Sequence, residues 1–161
     1  MSNLLQRKSV VIVKDYLQNI DPSIELIVLD DSARTAQDAA NSLNQDVGSI
    51  VKSLLFKDTN NDYYLCLVSG DKYLSTGNLS KITGSNIKKA GAAEIKKHTG
   101  FSIGGVSPVA HKYSPKRIFI DKNLNRFKTV YAAAGHPYVV FGITYNELIT
   151  ITNAEEGNIT E

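Results

Sequence analysis

Apolar positions along this chain recur with two periods, and the switches between them mark its elements. In "MSNLLQRKSVVIVKDYLQNI", Arg7, Lys8, Lys14 and Asp15 interrupt the apolar positions, which predicts an amphipathic helix and not a signal peptide with a continuous apolar centre. "SIELIVLD" is β-branched and predicts a short strand. "SARTAQDAANSLN" returns to the helical period, with Ser32 or Thr35 as its N-cap. "SIVKSLLFK" and "DYYLCLVSG" then predict two strands, and the polar "DTNN" between them predicts a hairpin. Alternation puts Val51, Ser53 and Leu55 on one face and Lys52, Leu54 and Phe56 on the other. Lys52 is thus a lone cation in a strand otherwise suited to burial. It either reaches water from an edge strand or lines a pocket.

Farther along, "LSTGNLSKITGS" and "AAEIKKHTG" predict short helices closed by Gly84 and Gly100. The loop "HTGFSIGGVSPVAH" follows, then a strand near "RIFID", a turn at "KNLN" and a strand at "TVYAAAG". "HPYVVFGI" continues as strand with Gly142 as a candidate bulge, and "TYNELITIT" is a final helix capped by Thr144. The order predicts one α+β domain with a mixed sheet over residues 1–161, an N-terminal helix taking 1–23 and the core 24–161.

Composition adds limits. A chain of 161 residues can bury a core unaided, and no apolar run approaches the roughly 20 residues that span a bilayer. Cys66 has no second cysteine to pair with, so a reducing cytoplasm is expected. Its setting, "YYLCLV", is that of a core residue and not of a nucleophile. Charge is segregated: residues 88–128 hold ten Lys and Arg against Glu94 and Asp121 alone. That section suits a polyanionic partner or, more plainly, a solvated lysine-rich surface.

Conventional catalytic constellations are missing. His98, His111 and His136 lack metal-ligand spacing, and no G-x-S-x-G elbow is present, so neither a metal nor another cofactor is expected. Asp121 ends a strand, where it can cap the following turn. The loop "GGVSP" matches neither the phosphate-loop nor the dinucleotide pattern. Read alone it is more often a turn. Its glycines can also aim backbone N–H groups at a carbonyl that becomes an oxyanion, an effect worth about 3 kcal/mol per donor.

Taken together, "TAQDAA", "IVKSLLF", "LVSGDKYL", "HTGFSIGGVSPVAH", "IFIDKNL", "VYAAAGHP" and "NELITIT" resemble the YbaK/ProX family, free-standing relatives of the editing domain inserted in bacterial prolyl-tRNA synthetases. The resemblance runs from about residue 24 to the C-terminus. It implies a mixed, barrel-like β-sheet with flanking helices, and hydrolysis of the ester in mischarged aminoacyl-tRNA. Lys52 matches the family's pocket lysine, expected at the phosphate or ribose end of the tRNA acceptor. Gly104 and Pro108 match the ends of the G-x-x-x-P loop, whose backbone, with Gly105, contacts the aminoacyl carbonyl and orients water. Val106 and Ser107 are expected to tune substrate fit. Asp121 matches the acidic residue after the loop, and Ala134, Gly135 and His136 match the strand end that walls the amino-acid pocket.

One departure matters. Where family members acting on cysteinyl-tRNA tend to carry Ser-Gly-Gly and a basic residue, this chain reads "AAAGHPYVV", with Ala133 at the serine. The resemblance therefore points to mischarged tRNA(Pro) bearing alanine or another small residue, such as cysteine, with prolyl-tRNA synthetase as a candidate partner and the cytoplasm as the place. No membrane partner is expected. A non-catalytic tRNA- or synthetase-binding module of the same fold is the alternative.

Overall fold

The computed structural model describes residues 3–30 and 33–161. Helix α1 (Lys8–Ile20), preceded by a 3-10 turn at Leu4–Gln6, places Val10, Val13 and Leu17 fully inside the core. Strand β1 (Leu26–Val28) leads to α2 (Ala36–Leu43). Thr35 caps α2 by accepting the Asp38 amide at 3.1 Å, while Ser32 lies outside the described residues. The predicted hairpin is β2 (Ile50–Asp58) and β3 (Tyr63–Ser69). Its turn is tied by the Asp58 carboxylate, which accepts the Asn60 and Asp62 amides.

Helices α3 (Thr76–Thr83) and α4 (Ala92–Thr99) end at Gly84 and Gly100, both left-handed. Between them lies β4 (Ile87–Lys89), which has too few apolar positions to show a period. Beyond the glycine loop come β5 (Arg117–Asp121), a 3-10 helix at Lys122–Arg126, and β6 (Val130–His136). After β6 follow β7 (Val139–Ile143), α5 (Tyr145–Thr152) and β8 (Glu155–Gly157). Thr144 caps α5 by accepting the Glu147 amide.

"TVYAAAGHPYVVFGI" is two antiparallel strands and not one continuous strand. Its irregularity falls between Ala133 and His136, whereas Gly142 pairs in register with Tyr131. The Gly135 backbone abuts the start of α1, and Ser9 Oγ donates to its carbonyl at 2.8 Å. That contact demands the local departure from the pleat.

The eight strands form one mixed sheet in the order β1-β7-β6-β2-β3-β5-β8, with β4 also on β2. Strands β1 and β8 do not meet, so the sheet is open and not a closed barrel. One face carries the larger core, with Val51, Leu55, Leu65 and Leu67 against α1 residues and α5's Leu148. The other carries Phe56, Tyr64, Cys66 and Val68 under Leu79 of α3. The alternation read in β2 therefore holds, and burial pushes the Cys66 thiol far above its usual range. A third cluster joins Ala39 and Ala40 of α2 to Ile50 and Val140.

Candidate active site: a gap in the sheet under a glycine loop

Strand β2 changes neighbours along its length. Ile50 and Val51 pair with β6, and Phe56–Asp58 pair with β4. The Ala90 amide donates to the Leu55 carbonyl, which fixes the side toward which the backbone groups of odd-numbered residues point. Those of Ser53 consequently point into the interval between β6 and β4, where no strand among the described residues covers them. A cavity of about 300 Å³ occupies this place.

The facing wall is the loop after α4. The Gly105 amide closes a turn on the Ser102 carbonyl at 2.9 Å, and Gly104 stands third in it with φ of 87°. Only glycine takes that backbone without strain. Gly105 needs glycine for another reason: a Cβ there would lie 2.9 Å from the Cα of His136. The loop is thus pressed onto the tip of the β6–β7 hairpin. The Gly105 amide is occupied by the turn, so it is not available to a ligand. The amides of Gly104 and Val106, both residues lining the cavity, donate to no acceptor among the described residues.

Support for the loop comes from behind. Ser107 is fully buried, its Oγ accepts the Val109 amide at 3.1 Å, and its carbonyl lies 2.6 Å from His111 Nε2. A carbonyl can only accept, so Nε2 carries the proton. Burial pulls the His111 imidazole below its usual value, the Ser107 bond opposing it.

The interior of the cavity is apolar, with Ala39, Ile50, Ala133 and Val140 among its walls. Ser53 also lines it, and its buried hydroxyl has no partner among the described residues. Among the described residues no carboxylate lines the cavity; Arg34 and Lys89, both exposed, stand on its lining.

The residues singled out in the sequence divide into two groups. Lys52, Gly104 and Val106 come together on the cavity, with Ala133 opposite the strand residues. Gly105 shapes the loop, and Ser107 and Pro108 lie behind it. Asp121 is buried at the end of β5, where it accepts the Ser69 and Asn123 amides; it caps that turn. Ala134 faces the main core, Gly135 packs on α1, and His136 Nδ1 accepts the Tyr138 amide. Burial and then the nearby Arg7 pull the His136 imidazole below its usual value. Lys52 reaches the cavity through β2, but its ammonium donates to the Lys72 carbonyl and lies 5.1 Å from the Tyr73 ring centroid. Burial lowers the Lys52 pKa, and Asp71 and Asp121 oppose that. Asp71 itself is held down to about 2, first by hydrogen bonds from Arg126.

A mixed open sheet interrupted by a cavity, and roofed by a glycine loop whose Gly104 and Val106 amides have no acceptor among the described residues, defines an α+β fold with a candidate site built largely of backbone. Among the described residues no three His, Cys, Asp or Glu side chains cluster as metal ligands would, and no helix is long and apolar enough to cross a membrane. The sequence profile of the aminoacyl-tRNA editing domain matches residues 30–151, and the chain belongs to that family. It is similar to uncharacterized protein YwhH of Bacillus subtilis (strain 168), 28% identical over 117 residues that cover 73% of this chain and 74% of that one. Similarity to the proline--tRNA ligase of Lactobacillus helveticus (strain DPC 4571) is 28% over 131 residues, covering 76% of this chain but 23% of the ligase. A solved structure described as a candidate trans-editing enzyme for prolyl tRNA synthetase superposes with a TM-score of 0.91 at 34% identity, covering 96% of this chain and 98% of that one.

Proposed function

We propose that the protein is a trans-editing deacylase that hydrolyses the ester of mischarged tRNA, with tRNA(Pro) carrying a small amino acid such as alanine or cysteine as substrate. The observation that carries this reading is the pairing of two amides without an acceptor among the described residues, at Gly104 and Val106, with an apolar cavity that no described carboxylate lines. Family membership supplies the substrate class. The ester carbonyl would take hydrogen bonds from these amides, which strengthen as water adds and the oxygen becomes an oxyanion. Collapse breaks the bond to the ribose oxygen, which leaves with a proton, and frees the amino acid as a carboxylate. The Ser53 carbonyl, turned into the gap, would accept a hydrogen bond from the attacking water or the α-amino group. At about 300 Å³ the cavity is at the small end for ligand sites, and its alanine-rich wall suits a short side chain. Such a role belongs in the cytoplasm with aminoacyl-tRNA, and the ligase similarity makes prolyl-tRNA synthetase the candidate partner.

The test is a panel of tRNA(Pro) charged separately with alanine, cysteine, serine and proline. Release of a small amino acid above background, with the prolyl ester spared, is the expected result. Binding without release, at concentrations where an established editing enzyme acts, would make the protein a binding module instead.

A further inference from the structure

Family resemblance assigns the phosphate or ribose end of the ligand to Lys52, yet the geometry commits that ammonium elsewhere. It is hydrogen-bonded to the Lys72 carbonyl and placed against Tyr73. Freeing it would leave that carbonyl short of a donor and move the charge away from Asp71 and Asp121, the carboxylates that favour it.

Two other cations stand on the cavity lining. Arg34 precedes the cap of α2, and Lys89 ends β4, the strand bounding the gap. Both are exposed, and neither forms an ion pair among the described residues. Asp38, close to Arg34 in sequence, accepts the Arg34 backbone amide at 3.2 Å and not its guanidinium. By contrast Lys57, Lys116, Arg117 and Arg126 all have carboxylate partners. Positive charge beside an apolar cavity lined by no described carboxylate suits a ligand with an uncharged part inside and an anion at its entrance.

We infer that Arg34 and Lys89, and not Lys52, hold the phosphate on the 5′ side of the esterified terminal nucleoside. The assignment rests on the aminoacyl-tRNA reading above. It gives Lys52 a positioning role: its ammonium ties β2 to the turn at Lys72, on the sheet face opposite the larger core.

Two non-hydrolysable probes separate the roles: 3′-alanylamino-3′-deoxyadenosine and the same compound with a 5′-phosphate. Calorimetric titration at low salt should show the phosphate tightening binding to the wild type by about tenfold, the scale of one charged hydrogen bond. In the Arg34→Gln/Lys89→Gln double variant that gain should fall below about twofold. Lys52→Gln should keep the phosphate gain. A double variant that retains the full gain, or a wild type that gains nothing from the phosphate, overturns the assignment while leaving the aminoacyl reading standing. A wild type that binds neither probe overturns the aminoacyl reading of the cavity and this assignment with it.

Discussion

Two cavities of nearly equal volume, about 300 and 290 Å³, share the loop after α4. The first takes Ile103, Gly104 and Val106; the second takes Pro108, Val109, Ala110 and His111. Their charges differ in kind. In the second, Lys116 is paired with Asp62 and Arg117 is held by Glu155 through two hydrogen bonds. In the first, Arg34 and Lys89 have no such partners among the described residues. Volume alone would not choose between the two cavities. Unspent hydrogen-bonding and charge do, because groups already satisfied within the protein gain little from a ligand.

The sharpest way to break this contrast is Gly105→Val. A branched side chain where even a Cβ lies 2.9 Å from backbone must lift the loop off the β6–β7 hairpin. Deacylation of the best substrate should fall by about 100-fold or more, the expected cost of misplacing reacting groups. Circular dichroism checks that the fold survives, and a kcat/KM within threefold of wild type would remove the loop from the chemistry.

A middle-sized effect is expected from adding bulk to each cavity in turn. Ala133→Leu narrows the first and should cost about tenfold in release of residues larger than alanine, a methylene-scale discrimination. Ser114→Leu adds bulk at the second and should leave the rates within about twofold. Reversed outcomes in competition assays would exchange the roles of the cavities.

The smallest effect concerns the support behind the loop. With the folded pKa of His111 depressed, stability is complete above the unfolded value of 6.5 and is lost as pH falls below it toward the folded value. His136 shifts in the same direction, so the comparison needs a variant. His111→Gln retains a donor for the Ser107 carbonyl without a titrating ring. Its melting temperature should fall less than that of wild type between pH 7 and pH 5.5, by about 2 °C. Parallel melting curves would show that folding leaves the His111 pKa unshifted.

Sequence reading succeeded where the signal is local. Thr35, Gly84, Gly100 and Thr144 bound their helices because caps depend on adjacent residues. The Lys52 alternation and the glycine turn were legible for the same reason. What escaped depends on partners far along the chain. Nothing in "IVKSLLF" shows that β2, on its side away from β3, has one neighbour at Val51, another at Phe56 and no described strand between, so the gap was invisible. The aim of the Lys52 ammonium depends on a carbonyl 20 residues away. Lys89 was visible only as one of ten basic residues, and Arg34 only as one position of the helical stretch "SARTAQDAANSLN". The bulge expected at Gly142 lies instead next to Gly135, where the close approach of α1 decides it.

The parallel pairing of β2 with β6 joins Ile50 to Tyr131, partners about eighty residues apart. Contacts of such separation form late, since the intervening chain must be ordered first. During synthesis the β2–β3 hairpin is therefore complete well before the strand that walls the other side of the cavity. Until β6 arrives, β2 offers Ile50 and Val51 as an unpaired apolar edge, a template for association between growing chains. Prompt docking of the β6–β7 hairpin, secured to α1 through Ser9 and Gly135, both completes the cavity and ends that exposure.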